Sequence, residues 1–217
     1  MARVSQEHLD ARRRQILDGA AHCFARNGFH ATSMQDVLRE VDLSAGAVYR
    51  YFSGKEELIG AIVTEVLHLI RDAFEEAALR RPPELPDALV GEVMGRVLGG
   101  GVVPTWQGPA GFARLLIQVW AETLRNKELA AVLRDGYESV RAAWIKVVEA
   151  YQEAGLMRAD IPAADVARTM IATCQGFAAQ EALFGDGSGE LPIEVFQNGM
   201  RALMSMGAPS AVGPAAS

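Results

Sequence analysis

Only two cysteines occur in 217 residues, and neither belongs to a C-x-x-C pair. Cys23 follows Ile16 at helical spacing and Cys174 lies in a second helical stretch, a pattern of buried reduced thiols rather than of a disulfide or a redox couple. No uninterrupted apolar run approaches the ~18 residues that a membrane span needs, so a soluble chain with no membrane partner is expected. Nor does an apolar segment follow the charged start "MARVSQEHLDARRRQ", which argues against a signal peptide and for a cytoplasmic address. Catalytic signatures are missing as well. There is no H-E-x-x-H and no G-x-S-x-G, and "GRVLGGG" follows a helical pattern and lacks the G-K-[ST] of a phosphate loop. His22 and His68 read as solvated and His8 and His30 as isolated, so no catalytic residue, metal site or cofactor is expected.

Positive charge is also in short supply, since the formal net charge is −6. That shortage excludes less than the total suggests. Residues 1–60 carry 8 Lys/Arg against 8 Asp/Glu, so the whole deficit belongs to the remainder. Local potential, rather than the sum, decides where an anion docks, and Arg12, Arg13, Arg14, Arg50 and Lys55 can gather on one face. What the chain does have is an ordinary globular balance, 50% hydrophobic and 22% charged, with length enough for a small unit joined to a larger one.

The pattern is all-α, with about nine or ten helices and no convincing strand. In "RRRQILDGAAHCFARNG", Ile16, Ala20, Cys23 and Phe24 form one stripe that stops at Asn27-Gly28. "ATSMQDVLREVDL" offers Thr32 or Ser33 as N-cap to a helix of about two turns with Val37, Leu38 and Val41 inward. Asp42 and Leu43 make a tight connection to Ser44, the N-cap of "AGAVYRYF", where Val48 and Phe52 face inward. Ser53 and Glu56 then read as an S-x-x-E capping box, with Glu57 as a second negative charge at the positive end of a helix restarting near Lys55. That long helix carries Leu58, Ile62, Val66, Leu69, Ala73 and Ala77 and ends before Pro82-Pro83. Further helical patterns span 86–98, 112–126, 128–154, 163–184 and 193–206, with "VVPTWQGPAG" as a connector and residues 208–217 as a disordered tail.

Three short helices, the second and third joined by a tight turn and backed by a long fourth, make a helix-turn-helix pattern. Small Ala45, Gly46 and Ala47 admit the start of the third helix to a major groove about 12 Å wide. Tyr49 and Tyr51 offer hydroxyls at its rim, and Lys55 with the first N–H groups of the fourth helix suits a phosphate. Ordinary surface residues would look the same if these positions were taken singly.

The run "FARNGFHATSMQDVLREVDLSAGAVYRYFSGKEEL", with the helix before it, resembles the DNA-binding domain of the TetR family of transcriptional repressors over roughly residues 10–58. The resemblance implies a DNA-binding unit over 1–57 and a helical effector-binding and dimerisation unit over 58–207. It further implies base contacts at Gln35, Ala45, Gly46, Ala47 and Tyr49 and phosphate contacts at Ser33, Tyr49, Tyr51 and Lys55, with Ser44 and Arg50 in the same segment. The implied partners are a pseudo-palindromic double-stranded DNA operator, a second copy of the chain and a small, hydrophobic effector that releases the operator. "AGA" has almost no hydrogen-bonding capacity, so base reading falls to Gln35, Tyr49, thymine methyl contacts and DNA shape.

The helices that surround the regulatory pocket in similar proteins bring in Leu67, Met94, Leu98, Trp106, Phe112, Leu116, Trp120, Tyr137, Trp144 and Phe177 as candidate ligand contacts. A dimer seam is expected from 128–154 and 163–184, with Met170, Cys174, Phe177 and Ala178 either facing a partner or forming intrachain core. A DNA-binding activator or architectural protein without a ligand, and an α-helical lipid carrier, stay open as alternatives.

Overall fold

The computed structural model describes residues 6–98, 108–184 and 193–205, and every regular element among them is a helix. In chain order these are α1 (Gln6–Asn27), α2 (Met34–Val41), α3 (Ala45–Tyr49), α4 (Lys55–Leu79), α5 (Pro86–Leu98), α6 (Gly108–Thr123), α7 (Lys127–Glu153), α8 (Ala163–Phe184) and α9 (Ile193–Ser205). Their ends follow local chemistry. Gly28, at φ +89°, takes the left-handed conformation that stops α1, and its N–H reaches the Phe24 carbonyl at 2.9 Å. Asp42 does the same for α2 at φ 51°, a conformation that short polar side chains tolerate and branched ones do not.

Ser33 caps α2 within a full capping box, its hydroxyl accepting from the Asp36 N–H while the Asp36 carboxylate accepts from the Ser33 N–H at 2.9 Å. These hydrogen bonds from Ser33 hold the Asp36 carboxyl below the usual carboxylate range. The expected box at the start of α4 differs in register. Glu57, not Glu56, accepts the Ser53 N–H at 2.7 Å and the Ser53 hydroxyl at 2.8 Å. The reason is the extended Gly54, which occupies the N-cap itself and sets Ser53 one residue further from the helix. α6 begins at Gly108, four residues before the expected Phe112, because Pro109 fits a first helical turn, where its missing N–H is no loss.

Two apolar cores result. The first joins Ile16, Ala20 and Phe24 of α1, Val37 of α2, Val48 of α3 and Leu58, Ile59 and Ile62 of α4. The second gathers Phe74 of α4, Val90 of α5, Trp144 and Val148 of α7, Ile171 of α8 and Phe196 of α9. The two are joined by α4, whose first half belongs to one and second half to the other, and by α6, whose Leu115 and Val119 enter the first core while Phe112 enters the second. α4 and α7 pack closely: a Cβ on Gly136 would stand 2.5 Å from Leu67 Cδ1.

Polar ties fix the far end. Arg80, at the end of α4, donates at 2.7 Å to both Glu84 and Glu92, and this guanidinium holds the Glu92 carboxyl down at about 2. Buried Asp87 of α5 accepts from Arg201 of α9 at 2.9 Å and 2.5 Å.

The proposed partner face of α8 is used within the chain. Met170 and Ala178 are buried, Cys174 faces a cavity, and the Phe177 ring lies 4.8 Å from that of Phe196. The tail from 208 onward lies outside the described residues.

Candidate functional site

The first candidate surface is the outer face of α2 and α3. Ser44 caps α3 by accepting the Ala47 N–H at 3.3 Å, and Val48 is the only fully inward residue of the helix. Ala45 and Gly46 are therefore left exposed, and a Cβ placed on Gly46 would meet nothing within 4 Å. Gln35, Tyr49 and Arg50 are exposed on the same side, with Tyr49 showing 49% of its surface, whereas Ala47 and Tyr51 are half-buried. Tyr51 packs its ring against the first core, so only part of it is left to meet a ligand. Ser33 is exposed, but its hydroxyl serves the α2 cap and donates to Asp36 at 2.6 Å.

Lys55 is less free than its sequence context suggests. Its ammonium donates to the Phe29 carbonyl at 3.2 Å and the Thr32 carbonyl at 3.4 Å and sits 4.7 Å from the Phe29 ring centroid. An ammonium has three N–H donors, so one remains for an outside acceptor. Neither Arg50 nor Lys55 is paired with a carboxylate among the described residues, so their charges are not cancelled locally. Arg13, one of the basic run, instead pairs with Glu65 and stacks on Phe52 at 5.5 Å.

The second candidate is a cavity of about 150 Å³ between α4, α5, α6, α7 and α8. Of the candidate ligand contacts, Leu67, Met94, Phe112, Leu116, Trp120, Tyr137 and Trp144 line it. Phe177 does not, because its contact with Phe196 turns it toward α9. Trp106 lies outside the described residues, as does the side chain of Leu98. Sequence reasoning missed Ile62, Val63, Leu115, Val119, Cys174 and Gln175, which also form the wall. Their helical periodicity marks them as inward without saying which inward residues leave space between them.

Burial pushes the Cys174 thiol up to about 12, so it is an uncharged S–H. It also raises the Tyr137 hydroxyl above its usual value.

Between the two candidates lies a set of contacts that local pattern could not disclose. The Phe29 N–H donates to Gln118 Oε1 of α6 at 2.8 Å. His30, read as isolated, has its Nε2 3.0 Å from the buried Glu122 carboxylate and 2.7 Å from an Arg125 nitrogen. His22 is not simply solvated either, since its Nδ1 lies 2.7 Å from Glu40. The turn from Gly28 to Thr32 is thus held by α6 on one side and by Lys55 on the other.

Among the described residues no group of His, Cys, Asp and Glu is arranged to hold a metal ion, and no helix is long and apolar enough to cross a membrane.

Comparison with known proteins bears on both regions. Residues 16–62 match the bacterial regulatory proteins of the tetR family, and residues 101–198 match the C-terminal part of BetI-type transcriptional repressors. The Escherichia coli transcriptional regulator UidR is 26% identical over 174 residues, 80% of this chain and 83% of that one. The Mycobacterium tuberculosis transcriptional repressor Rv1474c is 42% identical, but over 65 residues that make up 30% of this chain and 35% of its own. Among solved structures, Salmonella enterica GusR superposes with a TM-score of 0.70 at 25% identity, covering 94% of this chain and 98% of that one. Bacillus subtilis FadR, solved with stearoyl-CoA, shares the fold at TM-score 0.70 and 14% identity, over 89% of this chain and 98% of its own. Helix-turn-helix, helical body and relatives agree: the chain belongs to the TetR family of DNA-binding transcriptional regulators, and it is not an enzyme.

Proposed function

We propose that the protein is a cytoplasmic, homodimeric repressor that binds a pseudo-palindromic operator and leaves it when a small hydrophobic molecule occupies the cavity. One observation carries the ligand response: Ile62 and Val63 of α4 and Leu115 and Val119 of α6 belong both to the cavity wall and to the core of the DNA-binding head. A molecule entering the cavity pushes on the side chains that hold the head in place. A coupling of ~1 to 3 kcal/mol through such shared residues changes operator affinity roughly 5- to 150-fold.

In this reading α3 enters the major groove by its Ala45-Gly46 end, with Gln35 and Tyr49 at base edges and Ser33, Ser44, Ala47, Arg50, Tyr51 and Lys55 around the phosphates and groove rim. Two such heads in a dimer stand about one DNA turn, ~34 to 36 Å, apart or slightly more. The partner surface falls on outer faces of α8 and α9, where Leu183, Phe184, Val195 and Leu203 are exposed; Val195 and Leu203, eight residues apart, share one side of α9.

The test is salt-dependent, sequence-preferring DNA binding by the wild type, lost or weakened in Tyr49→Ala and Lys55→Ala. Unchanged DNA affinity in both variants refutes the assigned contacts, and a monomer at micromolar concentration in gel filtration refutes the two-headed geometry.

A further inference from the structure

Resting on the ligand-bearing reading of the cavity, we infer that the effector is an uncharged, single-ring molecule, aromatic or cycloaliphatic, bearing one hydrogen-bonding group such as a phenolic or alcoholic hydroxyl. Size is the first argument. The apolar space, open on one side and of about 150 Å³, seats a molecule of benzene's dimensions, whereas pockets for drug-sized ligands run from roughly 300 to 1,000 Å³.

Charge is the second. Among the described residues that form the wall there is no Lys, Arg, His, Asp or Glu, so an ion entering it would exchange its hydration for hydrocarbon with no counter-charge. The polar groups that do line the space are neutral, the raised Cys174 thiol and Tyr137 hydroxyl included.

The third argument is the polar complement. Tyr137 on α7 and Gln175 on α8 are both lining residues, and neither side chain is hydrogen-bonded to another described residue. Together they supply one hydroxyl and one amide to a ligand, enough for a single polar substituent and too little for a polyhydroxylated one. Trp120, Trp144, Phe74 and Phe112 provide ring faces and edges for the apolar remainder.

The experiment is calorimetric titration of the full-length protein at neutral pH with 4-methylphenol, toluene, 4-methylbenzoate and 4-methylbenzylammonium, which differ in one substituent, and with 1-dodecanol as a long-chain neutral probe. Near neutrality the phenol stays protonated, because its pKa lies near that of tyrosine, ~10. The expected order places 4-methylphenol at least tenfold tighter than either ion and about five- to tenfold tighter than toluene. The conservative variants Tyr137→Phe and Gln175→Leu each weaken 4-methylphenol several-fold while leaving toluene unchanged, which a general loss of folding does not do. Tighter binding of either ion overturns the inference and leaves the ligand-bearing reading standing. So does binding of 1-dodecanol with none of the four ring compounds. No binding by any of the five overturns the inference and removes the support for a hydrophobic effector along with it.

Discussion

Gly19 of α1 and Gly60 of α4 are both helical glycines, and the structure assigns opposite signs to the same substitution at each. A Cβ on Gly19 would overlap Val41 Cγ1 of α2, whereas one on Gly60 would meet nothing within 4 Å. Replacing glycine by alanine in a helix gains ~0.8 to 1.0 kcal/mol of backbone propensity at either position. At Gly60 that gain stands alone. At Gly19 it is opposed by overpacking, typically ~1 to 3 kcal/mol, because Val41 is buried and β-branched, so its Cγ1 is held stiffly beside its own backbone. The net expectation is a stabilisation of about 1 kcal/mol for Gly60→Ala and a destabilisation of about 1 kcal/mol for Gly19→Ala. In a chain of this length the gap corresponds to roughly 4 to 8 °C in Tm. Thermal unfolding of both variants at one protein concentration measures it, since self-association makes Tm depend on concentration. Gly19→Ala should also weaken operator binding, because relieving the overlap with Val41 moves α2 relative to α1. A Gly19→Ala protein as stable as Gly60→Ala refutes the claim that this glycine sets the spacing of α1 and α2.

Four further outcomes follow from contacts already described. Ser33→Ala removes the α2 cap and costs ~0.5 to 2 kcal/mol by urea unfolding, with DNA affinity falling in parallel because α2 is only eight residues long. Gln118→Ala leaves the N–H of buried Phe29 without its acceptor, a loss of ~1 to 3 kcal/mol, and hydrogen exchange should show that amide opening faster than in the wild type. Gly136→Ala pushes Leu67, a cavity-wall residue, and should weaken binding of 4-methylphenol without abolishing folding, as judged by circular dichroism and calorimetry together. Acid should loosen the junction of α4 and α5. The folded Glu92 carboxyl titrates at about 2, below its ordinary 4.5, so its contribution is complete above 4.5 and disappears as the pH falls toward 2. A Glu92→Gln variant should flatten the stability profile across that window.

The helices were legible because their signals are local. Ser33, Ser44, Asn27-Gly28 and the Pro82-Pro83 pair act within a turn of where they stand, and the inward stripes of α1, α2 and α4 repeat at the period of a helix. The exposed face of α3 was legible for the same reason, since Val48 and Phe52 claim the inward side and leave Ala45, Gly46 and Tyr49 outside. What escaped depends on residues far apart in the chain. Gln118 and Phe29 are 89 positions apart, and nothing in either neighbourhood marks them as partners. Lys55 has the sequence setting of a phosphate ligand, yet most of its hydrogen-bonding capacity is directed to two carbonyls in the distant turn between α1 and α2. Phe177 satisfies the α8 periodicity as well as Cys174 does, and only the position of α9 decides that one ring packs and the other side chain faces a cavity. The Ser53 box shows the same limit at short range, where a single extended glycine moved the partner from Glu56 to Glu57.

The hold of α6 on the Gly28–Thr32 turn has a mechanical meaning. A head joined to its body through one continuous helix could tilt in any direction about that joint. A second attachment, from Gln118 and Glu122 to Phe29 and His30, removes most of those directions and leaves rotation about the line between the two points. α4 is a rod of 25 residues, about 37 Å long, so a turn of ~5° about such an axis carries its far end by ~3 Å. A constrained swing of that size would be repeatable from molecule to molecule, and in the proposed homodimer two heads related by a two-fold axis would change their spacing by a set amount instead of blurring it.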